Sequence, residues 1–298
     1  MNKDDLNGVI PAIITPLGDD EQLDESALRA VTNYVVENGV HAIMTTGGTG
    51  EFPLLLREER KRVTQIVVEA TEGRVPIIAG TAACSTLEAI LLTEDAAAVG
   101  AAAAIVTPPY YFILPEEALY LHYTELAKNS PLPVVVYNNP LYTGNNLSPA
   151  LIARLAEVEN IIGLKQSQDD LGQLVEVIRL AGEKISICTG IDSQFYAALC
   201  VGATGIFSTA ATICPQQMVD LYNSTMAGRY KEARVLHNRL QNLNRFLEYD
   251  PGYVAPAKEA LHMMGLACGK VRRPLPELTE TEKNDIREVL RELHLVHE

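Results

Sequence analysis

Asn160-Ile161-Ile162-Gly163-Leu164-Lys165-Gln166-Ser167 is a short apolar run, bounded by polar residues, that carries one lysine near its end. A run of about four to eight apolar residues punctuated in this way reads as a strand buried on both faces, and a lysine is almost never fully buried unless something pairs with it. Lys165 is therefore open to two readings. Its stem can lie along apolar surface while the ammonium reaches solvent at the strand end. Alternatively, desolvation disfavours an ammonium, and a free amine held in an apolar pocket can attack a ketone to form a Schiff base. The second reading needs a fold that puts the end of this strand in a pocket.

On both sides of this run the chain alternates short β-branched runs with amphipathic stretches, the pattern of βα units around a parallel sheet. Strands are expected over 8–15, 41–46, 76–80, 102–107, 133–137, 161–165, 185–189 and 204–208. Helices are expected between them over 24–37, 58–70, 86–99, 115–128, 149–158, 170–180 and 193–201. The first shows Leu28, Val31, Tyr34 and Val35 on one face. Ser148-Pro149 fits an N-cap followed by proline at the first helical position. Eight such units make the expected fold α/β, a (β/α)8 TIM barrel over residues 1–213, within the usual size of about 250 residues. The remainder differs in kind. Helical patterns run from Pro215 to Tyr249, from Ala255 to Met264 and from Thr279 to Leu295, the last opened by Thr279 with Glu282 three residues on, a capping box. Residues 214–298 are expected to form a C-terminal α-helical domain.

Composition narrows the function. Of 298 residues, 47% are apolar, and no apolar run reaches the roughly 20 residues that a membrane-spanning helix needs. Met1-Asn2-Lys3-Asp4-Asp5 lacks the basic and apolar regions of a signal peptide, so a cytoplasmic location and no membrane partner are expected. Five scattered cysteines, mostly in apolar runs, read as reduced small hydrophobes, not as a disulfide or zinc framework. A net charge of −14 argues against a nucleic-acid partner. It also means that an anionic substrate needs local help, from a backbone nest or a buried cation.

In a barrel the working face is the carboxyl end of the strands. The residues there include Gly47-Gly48-Thr49-Gly50-Glu51, Thr107-Pro108-Pro109-Tyr110-Tyr111, Tyr137-Asn138-Asn139-Pro140, Lys165-Gln166-Ser167, Gly190-Ile191-Asp192 and Phe207-Ser208-Thr209. The glycine-rich loop can point successive N–H groups at an anion, with the Thr49 hydroxyl as a further donor, or can simply turn. It has neither the Lys-Ser/Thr pair of a phosphate loop nor a dinucleotide fingerprint, and a carboxylate suits it better. Tyr137 ends the strand expected beside that of Lys165, where a phenol can act as acid and base for Schiff-base chemistry or can pack at the rim. His41, His122, His237, His262, His294 and His297 sit at a strand start, in helices or in the tail, so neither a metal site nor another cofactor is expected at the working face.

With these residues assembled, the chain resembles the dihydrodipicolinate synthase and N-acetylneuraminate lyase family of lysine-dependent 2-keto-acid lyases, over nearly its whole length. Gly47-Gly48-Thr49-Gly50-Glu51 looks like the family's G-[ST]-T-G-E loop, Thr107 to Tyr111 like its T-P-x-Y-Y segment, Tyr137-Asn138-Asn139-Pro140 like Y-N-x-P, and Gly163-Leu164-Lys165 like G-[IL]-K. The resemblance implies that Lys165 forms a Schiff base with a pyruvate-like 2-keto acid, that Tyr137 shuttles protons and that Thr49 binds the keto-acid carboxylate. It further implies that Tyr110 crosses a subunit contact in a homotetramer and that the backbone at Phe207 lines the keto-acid pocket. Three aromatics in one loop, Tyr110-Tyr111-Phe112, agree with an oligomer. There are two departures. Tyr142 stands where the synthases place an arginine for the second substrate's carboxylate, and Gly48 where they carry a hydroxyl. The expected activity is therefore a metal-independent, Schiff-base lyase of aldolase or dehydratase type acting on pyruvate or a hydroxylated 2-keto (sugar) acid. Dihydrodipicolinate synthase is the alternative enzyme, and a catalytically silent keto-acid-binding relative the alternative from another class.

Overall fold

The computed structural model of the chain describes residues 1–248 and 252–296. Its strands are β1 (Gly8–Pro11), β2 (Ile43–Thr45), β3 (Ile77–Gly80), β4 (Ala103–Val106), β5 (Val134–Asn138), β6 (Ile161–Gln166), β7 (Ser186–Thr189) and β8 (Gly205–Ser208). Each pairs in parallel with its sequence neighbour from β2 to β8, and β8 pairs with β1. Between β1 and β2 the ring closes through a bridge from Ala12 to Met44, in which the Ile13 N–H donates to the Met44 carbonyl at 3.1 Å. The result is a (β/α)8 TIM barrel. The run expected as a strand over 8–15 leaves its β8 partner after Pro11, because the chain turns at Ala12–Ile13 from pairing with β8 to pairing with β2.

Two-residue alternation sorts the side chains. Val135 and Tyr137 of β5 join Ile10, Met44, Ile105, Cys188 and Phe207 inside the barrel. Val134 and Val136, with Leu164 and Ile187, face the helices outside. Lys165, one residue beyond Leu164, therefore points inward, and it is this parity that puts an amine in the barrel mouth.

Beyond β8 the described chain is helical, and the barrel and the later helices share one core. Val9, Ile43 and Ile206 belong to the same buried cluster as Leu240, Leu261 and Ile286. The long helical stretch expected from Pro215 is two helices, Pro215–Met226 and Tyr230–Glu248. Gly228 stops the first in the left-handed conformation (φ 74), a stop that a side chain would resist. Its expected end at Tyr249, and His297, lie outside the described residues. Thr279 and Glu282 form the reciprocal capping box expected for Glu280–Glu292. Pro115 is the N-cap of Glu116–Asn129 and not its first residue. Two four-residue helices, Pro140–Thr143 and Ala210–Ile213, are too short for periodicity to announce them.

One buried ion pair ties the two parts together. Glu51, at the end of the glycine-rich loop and in the left-handed region (φ 59), meets Lys258 Nζ at 2.5 Å. Its other oxygen accepts the Arg272 N–H at 2.7 Å. Burial pulls the Lys258 ammonium below the usual lysine range, and the Glu51 carboxylate opposes that pull. No helix among the described residues is long and apolar enough to cross a membrane.

Candidate active site

Tyr137 and Lys165 are register partners on β5 and β6. Both are nearly buried, 8% and 5% exposed, at the carboxyl end of the barrel. Lys165 Nζ lies 4.1 Å from the centre of the Tyr137 ring, 5.6 Å from that of Phe207 and 4.0 Å from Met44 Sδ. Room for the lysine stem and for Ser167 comes from the next strand's end: a Cβ on Gly190 would overlap the Ser167 hydroxyl and fall 2.6 Å from Lys165 Cε, so glycine lets the chain pass close to both. The Tyr137 hydroxyl accepts from Asn139 Nδ2 at 2.9 Å. Asn138, of opposite parity, instead donates to Gln166 Oε1 and Asn146 Oδ1 and accepts the Leu147 N–H, which fixes the loop that follows β5.

The glycine-rich loop is tied by hydroxyls. Thr15 Oγ1 donates to the Gly50 carbonyl at 2.8 Å and Thr46 Oγ1 to the Gly80 carbonyl at 2.9 Å. Thr49 is buried, its hydroxyl 2.9 Å from that of Thr209. Gly48 has no room for a side chain, because a Cβ there would overlap the Tyr253 hydroxyl and lie 3.3 Å from its Cζ.

Gly48, Thr49, Tyr137, Tyr142, Lys165 and Phe207 line one cavity of about 870 Å³. Tyr110 does not; it lines an adjoining, more apolar cavity of about 550 Å³ that shares Gly48, Tyr137, Asn139, Tyr142 and Tyr253 with the first. Its ring stands edge-on to Phe52 at 6.2 Å, and burial, followed by the Cys84 thiol, pushes its phenol up to about 12. The neighbouring Tyr111 takes a left-handed conformation (φ 84) and is 87% exposed. Asn145 holds this aromatic loop, donating to the carbonyls of Pro109 and Phe112 and accepting the Leu114 N–H.

Three more residues of the larger cavity bear on its chemistry: Asp192, which the sequence places at the working face without a role, and Glu248 and Tyr253, which it does not single out. Asp192 is buried and accepts from the Ser208 hydroxyl and from the N–H groups of Thr209 and Ala210. Burial raises its pKa, against the pull of those donors. Glu248 accepts the Ser193 N–H at 2.6 Å, and burial, with the Asp192 charge behind it, pushes its carboxyl up to about 7. Lys165 is the one cationic side chain among the described residues that line this cavity. No group of three His, Cys, Asp or Glu among the described residues is placed to hold a metal ion. Glu248 ends one C-terminal helix and Tyr253 stands just before the next, where periodicity is silent about the barrel mouth.

A family model described as the dihydrodipicolinate synthetase family matches residues 5–293. A 4-hydroxy-tetrahydrodipicolinate synthase of Thermodesulfovibrio yellowstonii is 39% identical over 293 residues, covering 98% of this chain and 99% of the relative. Among solved structures, a chloride-inhibited dihydrodipicolinate synthase from Acinetobacter baumannii complexed with pyruvate superposes with a TM-score of 0.93 at 35% identity, over 98% of this chain and 100% of that one. A prophage protein of the dihydrodipicolinic acid synthase family from E. coli K12, also in complex with pyruvate, gives 0.93 at 30% identity, over 97% and 99%.

Proposed function

The chain belongs to the dihydrodipicolinate synthetase family, and on that premise we propose that it is a class I lyase in which Lys165 forms an imine with pyruvate or a closely related 2-keto acid. The observation that carries this is the buried Lys165 amine on the same rung as the Tyr137 phenol. The pyruvate complexes of two solved relatives support the choice of keto acid.

The amine adds to the C2 carbonyl, the C–N bond forms and the carbonyl oxygen takes up a proton. The C–O bond then breaks and the oxygen leaves as water. Of the two protons on that water, one comes from the lysine nitrogen and one from outside, and Tyr137 is placed to move both. The hydroxyls of Thr49 and Thr209 suit the keto-acid carboxylate. The iminium draws electrons from C3, and loss of a C3 proton gives an enamine that can add to an aldehyde; the reverse steps cleave an aldol.

The shared name of the relatives supports condensation of pyruvate with aspartate semialdehyde, the 4-hydroxy-tetrahydrodipicolinate synthase reaction, as the leading reading. It takes that place from the hydroxylated sugar acid expected first from Gly48 and Tyr142. One observation favours the sugar acid as a second reading: among the described residues that line the cavity, a second carboxylate finds no cation beyond Lys165, while Asp169, Asp192 and Glu248 line it. Comparing kcat/KM for the condensation with that for cleavage or dehydration of a 2-keto-3-deoxy sugar acid is the test. A higher value for the condensation supports the leading reading, and a higher value for the sugar acid transfers the assignment to the second.

A further inference from the structure

Imine formation at Lys165 needs a proton from outside, yet Lys165 and Tyr137 are both nearly buried. The buried carboxylate of the cavity is already engaged, Asp192 by Ser208, Thr209 and Ala210, and Glu248 accepts from Ser193. What remains beside Tyr137 is a group of phenols. Tyr253, from the segment just before the helix Val254–Met263, borders both cavities and fills the side-chain space of Gly48. Its ring meets that of Tyr142 edge-on at 5.9 Å, and Tyr142 is 58% exposed. Tyr137, Tyr253 and Tyr142 thus border one cavity, in order a buried, a partly buried and an exposed phenol. Because the Tyr137 oxygen accepts from Asn139, its own proton is free to be passed on.

We propose that the Tyr253 hydroxyl, seated where a side chain at position 48 would be, relays protons between Tyr137 and the cavity mouth as the Lys165 imine forms and breaks. Tyr253 acts through Tyr137 and does not touch the reacting carbon. Burial, followed by the neighbouring phenols, holds the Tyr253 hydroxyl well above the usual tyrosine range, so it stays protonated at neutral pH and can donate and accept in one exchange. The inference rests on the imine chemistry proposed above and adds a residue to it. It also explains a pairing: a hydroxyl can reach this point from position 48 or from position 253, and the space admits one of them.

Pyruvate is the probe, because it needs no second substrate. Borohydride trapping followed by peptide mass analysis reads the imine on Lys165, and exchange of the pyruvate methyl protons in deuterated water, followed by NMR across pH, reads proton traffic. Tyr253→Phe is expected to reach the same final labelling of Lys165 but more slowly, while exchange falls about tenfold or more, within the range for a lost acid-base group, and its pH profile shifts. Gly48→Thr placed on Tyr253→Ala is expected to restore about tenfold over Tyr253→Ala alone, since a hydroxyl then returns from the other side. Wild-type exchange rate and pH profile in Tyr253→Phe, or no restoration by Gly48→Thr, overturns the relay. Absence of any pyruvate adduct on Lys165 in the wild type overturns instead the reading on which it rests, and the relay falls with it.

Discussion

Tyr137 and Lys165 stand on the same rung of adjacent parallel strands, with the amine nitrogen 4.1 Å from the centre of the phenol ring. Lys165→Arg is expected to abolish turnover and borohydride-dependent labelling, because a guanidinium remains protonated and cannot attack a carbonyl. Tyr137→Phe keeps the ring and removes the proton carrier, so kcat should fall by about 10²- to 10⁴-fold while labelling on Lys165 persists. Equal activity in Tyr137→Phe and wild type would remove the phenol from the chemistry.

Gly190 makes the space for the Lys165 stem. In Gly190→Ala the new methyl group meets Lys165 Cε, and overpacking of this kind costs about 1–3 kcal/mol. The expected outcome is a fall in kcat out of proportion to the change in thermal stability, because the Ser167 hydroxyl and then the Lys165 stem must shift, and the amine moves with the stem. Kinetics set beside a melting curve decides it, and unchanged kcat counts against the close fit.

Glu51 and Lys258 form a buried ion pair, and removing one member leaves the other charge buried and unpaired. Lys258→Met is expected to destabilise the protein by about 3–5 kcal/mol in denaturant unfolding. Replacing both members by apolar residues should cost less than the single change, and a double variant worse than Lys258→Met would contradict this account.

Glu248 imposes a pH dependence of stability. Its carboxyl is raised to about 7 from the ordinary 4.5, so between those values the folded state binds more protons than the unfolded one. Its contribution is most favourable below about 4.5 and is lost as pH rises through about 7. Because the side chain is partly open to solvent, at most about 1–2 kcal/mol is expected. Glu248→Gln should therefore gain melting temperature relative to wild type at pH 8 and not at pH 4.5, and an equal difference at both values would show that Glu248 titrates normally.

The exposed loop Tyr111-Phe112-Ile113, each residue at least 68% exposed, sets Ile113 against Gly144, and Leu141, which is 77% exposed, lines the cavity. We expect these residues to be covered in a homotetramer, as the family resemblance suggests. Light scattering on the active protein checks this, and a monodisperse active monomer at micromolar concentration would rule it out.

The barrel was legible because strands buried on both faces must be written as near-continuous apolar runs, and Lys165 was legible because a lone charge in such a run needs an explanation. The neighbourhood of Lys165 was readable through strand parity, which carries Tyr137 and Phe207 inward with it. Other features depend on contacts between distant segments. The 8–15 run gives no sign that the chain changes partner at Ala12. Two adjacent tyrosines look alike in a sequence, yet Tyr110 turns toward Phe52 while the left-handed backbone at Tyr111 sends that ring to solvent. The departure at Gly48 was visible at once, but its counterpart Tyr253 lies some two hundred positions away, and only packing joins the two.

That the mouth of the barrel is walled by the tail has a consequence during synthesis. A chain growing from its N-terminus acquires Lys165, Tyr137 and the glycine-rich loop long before Glu248, Tyr253 and Lys258 are made. Until those last residues emerge, the loop lacks its ionic anchor, the core lacks Leu261 and Ile286, and the amine faces an unfinished cavity. The mouth around Lys165 thus stays open on the growing chain, and it takes its walled form only once Glu248, Tyr253 and Lys258 have been made.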